Sequence, residues 1–486
     1  MKTILKALNA VALAGAIVVA TPAFADDATS TDTDAKDQKD LKKVIEDQGI
    51  NYVETAQKGI TLSGYVDVSY TNEFAGRGQE FNTSDADGNN QHTLRQFDTN
   101  ANGFNVQAVK IALEKALPDK NEWAAGFRID TILGQDATAL HDFAFGSNSD
   151  VALEQALVKF RIPVGNGLDI YAGKFVTFLG YEVIESPANL NFSRGLLFTN
   201  AIPLTHTGVY ADYKFNDIVE AKFGIVDGWN DSTSIRSFDP QASYAFGGKA
   251  ITGQINITNP GKNANICTSF IYSPDSAEPY EGNIPNVTPF TNGTGGSAGA
   301  DNGPVAVFDI WGNWNPTFVK DSALTLGFNL DLGYAGAAGL PGEGGPNALH
   351  QDTNTWWGAA LYASYKFTKV FTLSGRLEYL HTDEVDVDDA FGAANFPKYG
   401  QGFESTEGRL VPATQDDFSA TLTAAFNIWD NLLTRVEYRC DVLQGTTVAP
   451  GGLTSFTSGT GPAGATLEPQ HQTVENEVSV EAVYSF

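Results

Sequence analysis

Cysteine is nearly absent, with only Cys267 and Cys440 in 486 residues. That excludes a disulfide scaffold and any cysteine-based zinc or iron–sulfur centre. The six histidines are scattered without a His-x-x-x-His pair, so no histidine metal site is expected. Basic side chains are scarce, 30 against 58 acidic ones. A net charge of −28 lacks the basic footprint that nucleic-acid binding requires. Charged residues of both signs make up 18%, where an ordinary soluble domain carries about 25%. Past the first 25 residues, no run approaches the roughly 18 to 20 apolar residues of a spanning helix. What the chain holds instead is 49 Gly and 31 Phe, 17 Tyr and 7 Trp.

The start of the chain sets the compartment. Lys2 and Lys6 precede the apolar run Ala7–Ala20, and Pro22-Ala23-Phe24-Ala25 supplies an Ala-x-Ala cleavage pattern. Basic, apolar and small-residue regions in that order describe a secretory signal peptide, with removal expected after Ala25. Asp26–Asp37 is acidic and rich in Ser and Thr, a disordered composition. Leu41, Val44, Ile45 and Gln48 predict a short helix within 40–48. Residues 26–58 therefore read as a periplasmic segment ahead of a single domain over 59–486.

From Ile60 the chain alternates. Ile60, Leu62, Val66, Val68 and Tyr70 share one face, and Thr61, Ser63, Asp67 and Ser69 the other. A period of two is a strand with one apolar and one polar face. Sixteen such segments follow: 60–74, 103–116, 121–133, 152–163, 167–178, 207–216, 218–228, 243–256, 262–273, 304–315, 322–335, 354–367, 370–383, 415–428, 431–443 and 473–486. The pattern slips near Ala108.

Short connections such as Gly165-Asn166-Gly167 and Thr368-Lys369 follow the even strands. Long ones follow the odd strands, over 75–102, 134–151, 179–206, 229–242, 274–303, 336–353, 384–414 and 444–472. Short turns on one rim and long loops on the other predict an all-β transmembrane barrel of about sixteen antiparallel strands, with both ends on the periplasmic rim. A soluble sandwich would also alternate. It does not need the aromatics near strand ends, Trp123, Phe215, Trp314, Trp356, Trp357, Phe367, Phe426, Trp429, Tyr484 and Phe486, which suit membrane-interface girdles.

Sixteen strands enclose a lumen that wall side chains cannot fill. Porins narrow theirs with a loop, typically the third long one, here 179–206. It carries Glu182, Glu185, Arg194 and His206, and it is unusually apolar, with Phe192, Leu196 and Phe198 as expected anchors on the inner wall. Alternatively, its apolar residues dock on a neighbouring subunit. Arg376, Arg435 and Arg439 lie on polar faces of strands thirteen and fifteen. Charge on a lipid face costs up to ~4 kcal/mol near the midplane, so they face the lumen. They predict a basic wall across a gap from hydrated Glu182 and Glu185, or else a ladder of pairs with Glu378, Glu437 and Asp441. Glu475, Glu477 and Glu481 line the lumen on the last strand. The acidic loops Asp85–Asn89 and Asp383–Asp389 complete no EF-hand and read as solvated, so no metal or other cofactor is expected.

The same region carries a resemblance. Gly173-Lys174-Phe175, Gly180-Tyr181-Glu182-Val183, Phe192-Ser193-Arg194, Pro203 and Thr205-His206-Thr207-Gly208 resemble the β-barrel porin-2 family, specifically over about 167–230. Phe178 and Leu204 depart from the family's usual Pro and Phe. The resemblance implies an outer-membrane porin, a water-filled channel for small hydrophilic solutes and ions. Its partners would be outer-membrane lipid, the barrel-assembly machinery and, as a homotrimer, two further copies. An outer-membrane barrel enzyme would need a nucleophile with a base, and no Gly-x-Ser-x-Gly occurs. A structural or adhesive surface barrel is a further alternative. A plugged receptor would need about 22 strands.

Overall fold

A computed structural model describes residues 59–74, 102–118, 120–140, 150–230, 249–274, 304–320, 323–335, 354–383, 414–446 and 471–486, with short stretches of the intervening loops. The expected signal peptide, the segment 26–58 and most of the two acidic loops lie outside the described residues.

Sixteen antiparallel strands close into a barrel, each paired with its neighbours in the chain. They are β1 (Ile60–Phe74), β2 (Asn102–Lys115), β3 (Ala124–Leu133), β4 (Val151–Ile162), β5 (Leu168–Val176), β6 (Thr205–Lys214), β7 (Val219–Val226) and β8 (Ala250–Thr258). Then come β9 (Ala264–Ser273), β10 (Val305–Trp314), β11 (Leu324–Ala335), β12 (Asn354–Lys366), β13 (Phe371–Thr382), β14 (Thr414–Trp429), β15 (Leu432–Thr446) and β16 (His471–Ser485). The seam is β1 on β16, where Phe486 N–H donates to Gly64 O at 2.9 Å and Gly64 N–H donates back at 3.0 Å.

The period of two decides which way each side chain points. On β1, Leu62, Val66, Val68 and Tyr70 are exposed on the outside, while Asp67, Ser69 and Thr71 are buried inside. An outer surface so apolar is stable in hydrocarbon and not in water. Trp123, Phe215, Trp314, Trp357, Phe367, Trp429, Tyr484 and Phe486 are exposed near its rims. Trp356 is an exception to the expected girdle: it is 1% exposed and points into the lumen.

Two irregularities matter for the interior. Asp67 faces Ala108 while Val68 faces Val106, so Gln107 is an extra residue in β2. That bulge is the cause of the slip near Ala108. A second bulge makes Glu154 the extra residue in β4, between the pairs Asp130–Gln155 and Thr131–Leu153. β8 spans Ala250–Thr258, and the part 243–248 of the expected strand lies outside the described residues.

Candidate functional site

The chain between β5 and β6, residues 177–204, turns into the lumen and crosses it. Its neck is closed by Thr177 N–H donating to Leu204 O at 2.9 Å and by His206 Nε2 against Thr177 Oγ1 at 3.2 Å. His206 thus lies on β6 itself, fully buried in the neck, and lines no aqueous gap. A short 3-10 turn (Ser186–Ala188) and the helix Leu196–Asn200 give the segment its shape.

Apolar burial accounts for half of the docking. Ile184, Phe192, Leu196, Leu197 and Phe198 are each at most 4% exposed. Ile184, Leu196, Leu197 and Phe198 pack within a cluster with Phe97, Ile132, Trp229, Trp356 and Leu380 from other loops and the wall. Fully burying one such side chain contributes about 1.5–3 kcal/mol. The wall is cut back to admit the large side chains. A Cβ on Gly333 would lie 1.7 Å from the Trp356 ring, whose Nε1–H donates to Ala201 O at 3.1 Å. A Cβ on Gly327 would lie 2.7 Å from the Tyr181 ring, which stacks on Tyr362 at 4.2 Å.

Polar docking is the other half. Arg376 Nη1 lies 2.7 Å from Glu182 Oε1 and donates to Ser193 O at 2.6 Å, while its Nε sits 2.8 Å from Glu378. Arg435 donates to the carbonyls of Asn191 (2.9 Å) and Ser186 (3.0 Å) and is paired with Glu481. Arg439 donates to Arg194 O at 2.7 Å and pairs with Asp441 at 2.8 Å. Glu437 accepts from Phe192 N–H at 2.7 Å and Ser193 N–H at 3.0 Å. Three strands beyond β15 around the wall, on β2, Lys110 is paired with Glu185 and also holds Glu154 (2.6 Å) and Asp130 (3.1 Å). Arg194 pairs with Asp136 at 2.6 Å and stands 4.6 Å over the Phe97 ring. Asp136 lies on a one-turn helix after β3, Gln135–Thr138, where burial pushes its carboxyl up to about 6 against the pull of Arg194.

The arrangement corrects the expected transverse field. Arg376, Arg435 and Arg439 do not face a gap: each is 1% exposed and is engaged by at least one carboxylate and at least one loop carbonyl. Nor are the loop acids hydrated, Glu182 being 5% and Glu185 3% exposed. Of the acids on β16, Glu477 pairs with Arg95 at 2.9 Å and Glu481 with Arg435, and Glu475 is buried. The physical reason is dielectric: charges brought into a filled lumen must pair or be hydrogen-bonded.

Sequence reasoning missed Arg95, Lys110, Asp130, Asp136 and Glu154. For two of these strands a signal existed, since the bulges that place Gln107 and Glu154 show as interruptions of the alternation. Gln107 Nε2 donates to Asp136 Oδ1 at 3.1 Å and to Phe97 O at 2.9 Å.

A family model described as "Putative beta-barrel porin-2, OmpL-like" matches residues 59–486. Among solved structures, the chain is similar to the outer membrane channel DcaP of Acinetobacter baumannii, at 12% identity over 88% of this chain and 97% of that one, with a TM-score of 0.48. An anion-selective porin from Comamonas acidovorans matches at 12% identity over 88% and 99%, TM-score 0.48. OprB of Pseudomonas putida matches at 11% identity over 93% and 97%, TM-score 0.48. No curated protein matches the sequence.

Proposed function

The chain belongs to the β-barrel porin-2, OmpL-like family, and we propose that it is an outer-membrane channel that passes small hydrophilic solutes and ions by diffusion through a lumen whose width is set by residues 177–204. The observation that carries this reading is the polar inner wall of a closed sixteen-strand barrel with one long segment docked across it. In this reading the pore-setting residues are Glu182, Glu185, Arg194, Arg376, Arg435 and Arg439, which act by fixing the segment's position. His206 closes its neck. Glu437 and Glu481 bind its backbone or its partners. The short-turn rim faces the periplasm, the segment 1–25 is removed on export, and three copies assemble side by side in the outer membrane. The purified barrel in planar bilayers tests the function. Stepwise, ohmic conductance in KCl is the expected result. A folded, heat-modifiable protein that inserts without conducting would refute it.

A further inference from the structure

The short-turn rim is not uniform in charge. On one flank Lys120 stands between Asp119 and Glu122 in the sequence, and Lys214 pairs with Asp217 at 3.5 Å. On the other, three consecutive short turns join β8 to β9, β10 to β11 and β12 to β13, and they carry Lys262, Lys320 and Lys369. All three lysines are exposed, and no ion pair or side-chain hydrogen bond reaches them among the described residues. The sequence of these turns, 259–263, 315–323 and 367–370, holds a single acid, Asp321. Lys366, the last residue of β12, adds a fourth exposed ammonium. The turns form one edge: Asn315 N–H donates to Asn263 O at 2.7 Å, and Lys366 N–H to Ala323 O at 2.8 Å. Strands about 4.8 Å apart place consecutive short turns about 10 Å from one another.

Beside this edge the outer face is aromatic. Trp314 and Phe318 are exposed, with ring centroids 6.0 Å apart. Phe367 is exposed between Tyr365 at 4.7 Å and Phe371 at 5.4 Å, and Phe371 continues to Phe426 at 5.2 Å. Such rings sit at the level of lipid headgroups, and a lysine beside them reaches the phosphates. The far end of β13 and β14 carries acids instead, where Asp416 and Asp383 flank His381 at 2.7 and 3.1 Å. A zwitterionic headgroup brings its own cation, so an added ammonium gains little from it. A net-anionic headgroup has no such cation and attracts a row of lysines. We propose that the edge formed by these three turns selects anionic phospholipid, with Lys262, Lys320 and Lys369 on the headgroup phosphates and the acyl chains along the belt from Trp314 to Phe426. The leaflet this edge meets rests on the proposed orientation of the barrel, whereas the headgroup preference does not.

Brominated lipid is the probe, because bromine quenches tryptophan on contact and Trp314 lies in the belt. The full-length folded barrel is placed in bilayers of phosphatidylcholine and phosphatidylglycerol at equal mole fractions, with bromine on the acyl chains of one lipid or the other. The part of the quenching that disappears in Trp314→Phe belongs to this edge. At low salt that part should show phosphatidylglycerol enriched by at least about threefold, falling toward parity at about 1 M salt. Lys262→Gln with Lys320→Gln and Lys369→Gln should abolish the enrichment, and Lys120→Gln with Lys214→Gln should leave it. Equal quenching of Trp314 by the two lipids would overturn the proposal. So would an enrichment that survives the triple variant, or one carried by Trp357 at the opposite rim and not by Trp314. Should the triple variant fail to insert, the salt titration of the parent decides, since an enrichment at Trp314 that ignores salt refutes a contact between lysine and headgroup. Conductance, which tests the porin reading, is measured in phosphatidylcholine alone, so either reading can fail without the other.

Discussion

Arg435 stands where a carboxylate and three backbone carbonyls of the crossing segment converge: Glu481, and the oxygens of Ser186, Asn189 and Asn191. A planar guanidinium with five donors satisfies such a set, and an ammonium does not. Removing it leaves Glu481 buried without its counter-charge, with Ser186 Oγ–H still donating to it, and takes a donor from each carbonyl, at a cost of about 3–5 kcal/mol to docking. Arg435→Ala is therefore expected to give larger and noisier single channels, and Arg435→Lys an intermediate effect. Unchanged conductance in a folded Arg435→Ala barrel would show that the segment is held by its apolar face alone. The inward placement of this residue was legible in the sequence, because alternation and the cost of charge in lipid leave no other side for it. Its engagement was not legible. The groups it binds are backbone carbonyls more than 240 positions away, and carbonyls carry no residue-type signal. The same holds for Lys110, which was overlooked because its partners Glu154 and Glu185 reach it through a bulge and a loop.

At the level of elements, all sixteen strands follow from the pattern, since lipid outside and polar groups inside impose strict alternation. The third long connection was legible as an inward element for a different reason: its apolar content has no use in water. What the pattern did not reveal is how far it reaches. Its contacts run from Gln254 and Ser269 through Asn329, Arg376 and Glu437 to Glu481 and Lys110, which is most of the circumference. Such reach depends on the wall glycines Gly327 and Gly333, whose role appears only once the opposing ring is placed. Shortening the segment between Pro187 and Asn200 should roughly double single-channel conductance, because a sixteen-strand barrel without infill leaves an aqueous channel. The barrel should still be heat-modifiable on gels, as the sixteen ladders are untouched. Unaltered conductance would place the conducting path elsewhere. Orientation has its own check. Epitope tags within 274–303 or 384–414 should be reached by antibody on intact cells, and tags near Asp119 should not; the reverse pattern would invert the barrel.

For the molecule as a whole, selectivity depends on the net field and not on single residues. Each docking arginine is neutralised within a few ångströms by a carboxylate, so its own field at the pore axis is small. The remainder is what a passing ion senses. Among the described residues sixteen carboxylates are buried against ten basic side chains, and the full chain carries −28. Low-dielectric walls focus such an excess and raise the local concentration of cations. A preference for K⁺ over Cl⁻ is therefore expected, read as the sign of the reversal potential across a KCl gradient. Screening sets its salt dependence: the Debye length falls from about 10 Å at 0.1 M to about 3 Å at 1 M, so the preference should shrink as both chambers are made more concentrated. A field from paired charges is short-ranged already and would be insensitive to that change, which separates the two origins. Anion preference at low salt would contradict the argument. It would mean that the docking arginines are released from their partners in the conducting state and that the crossing segment moves when the channel opens.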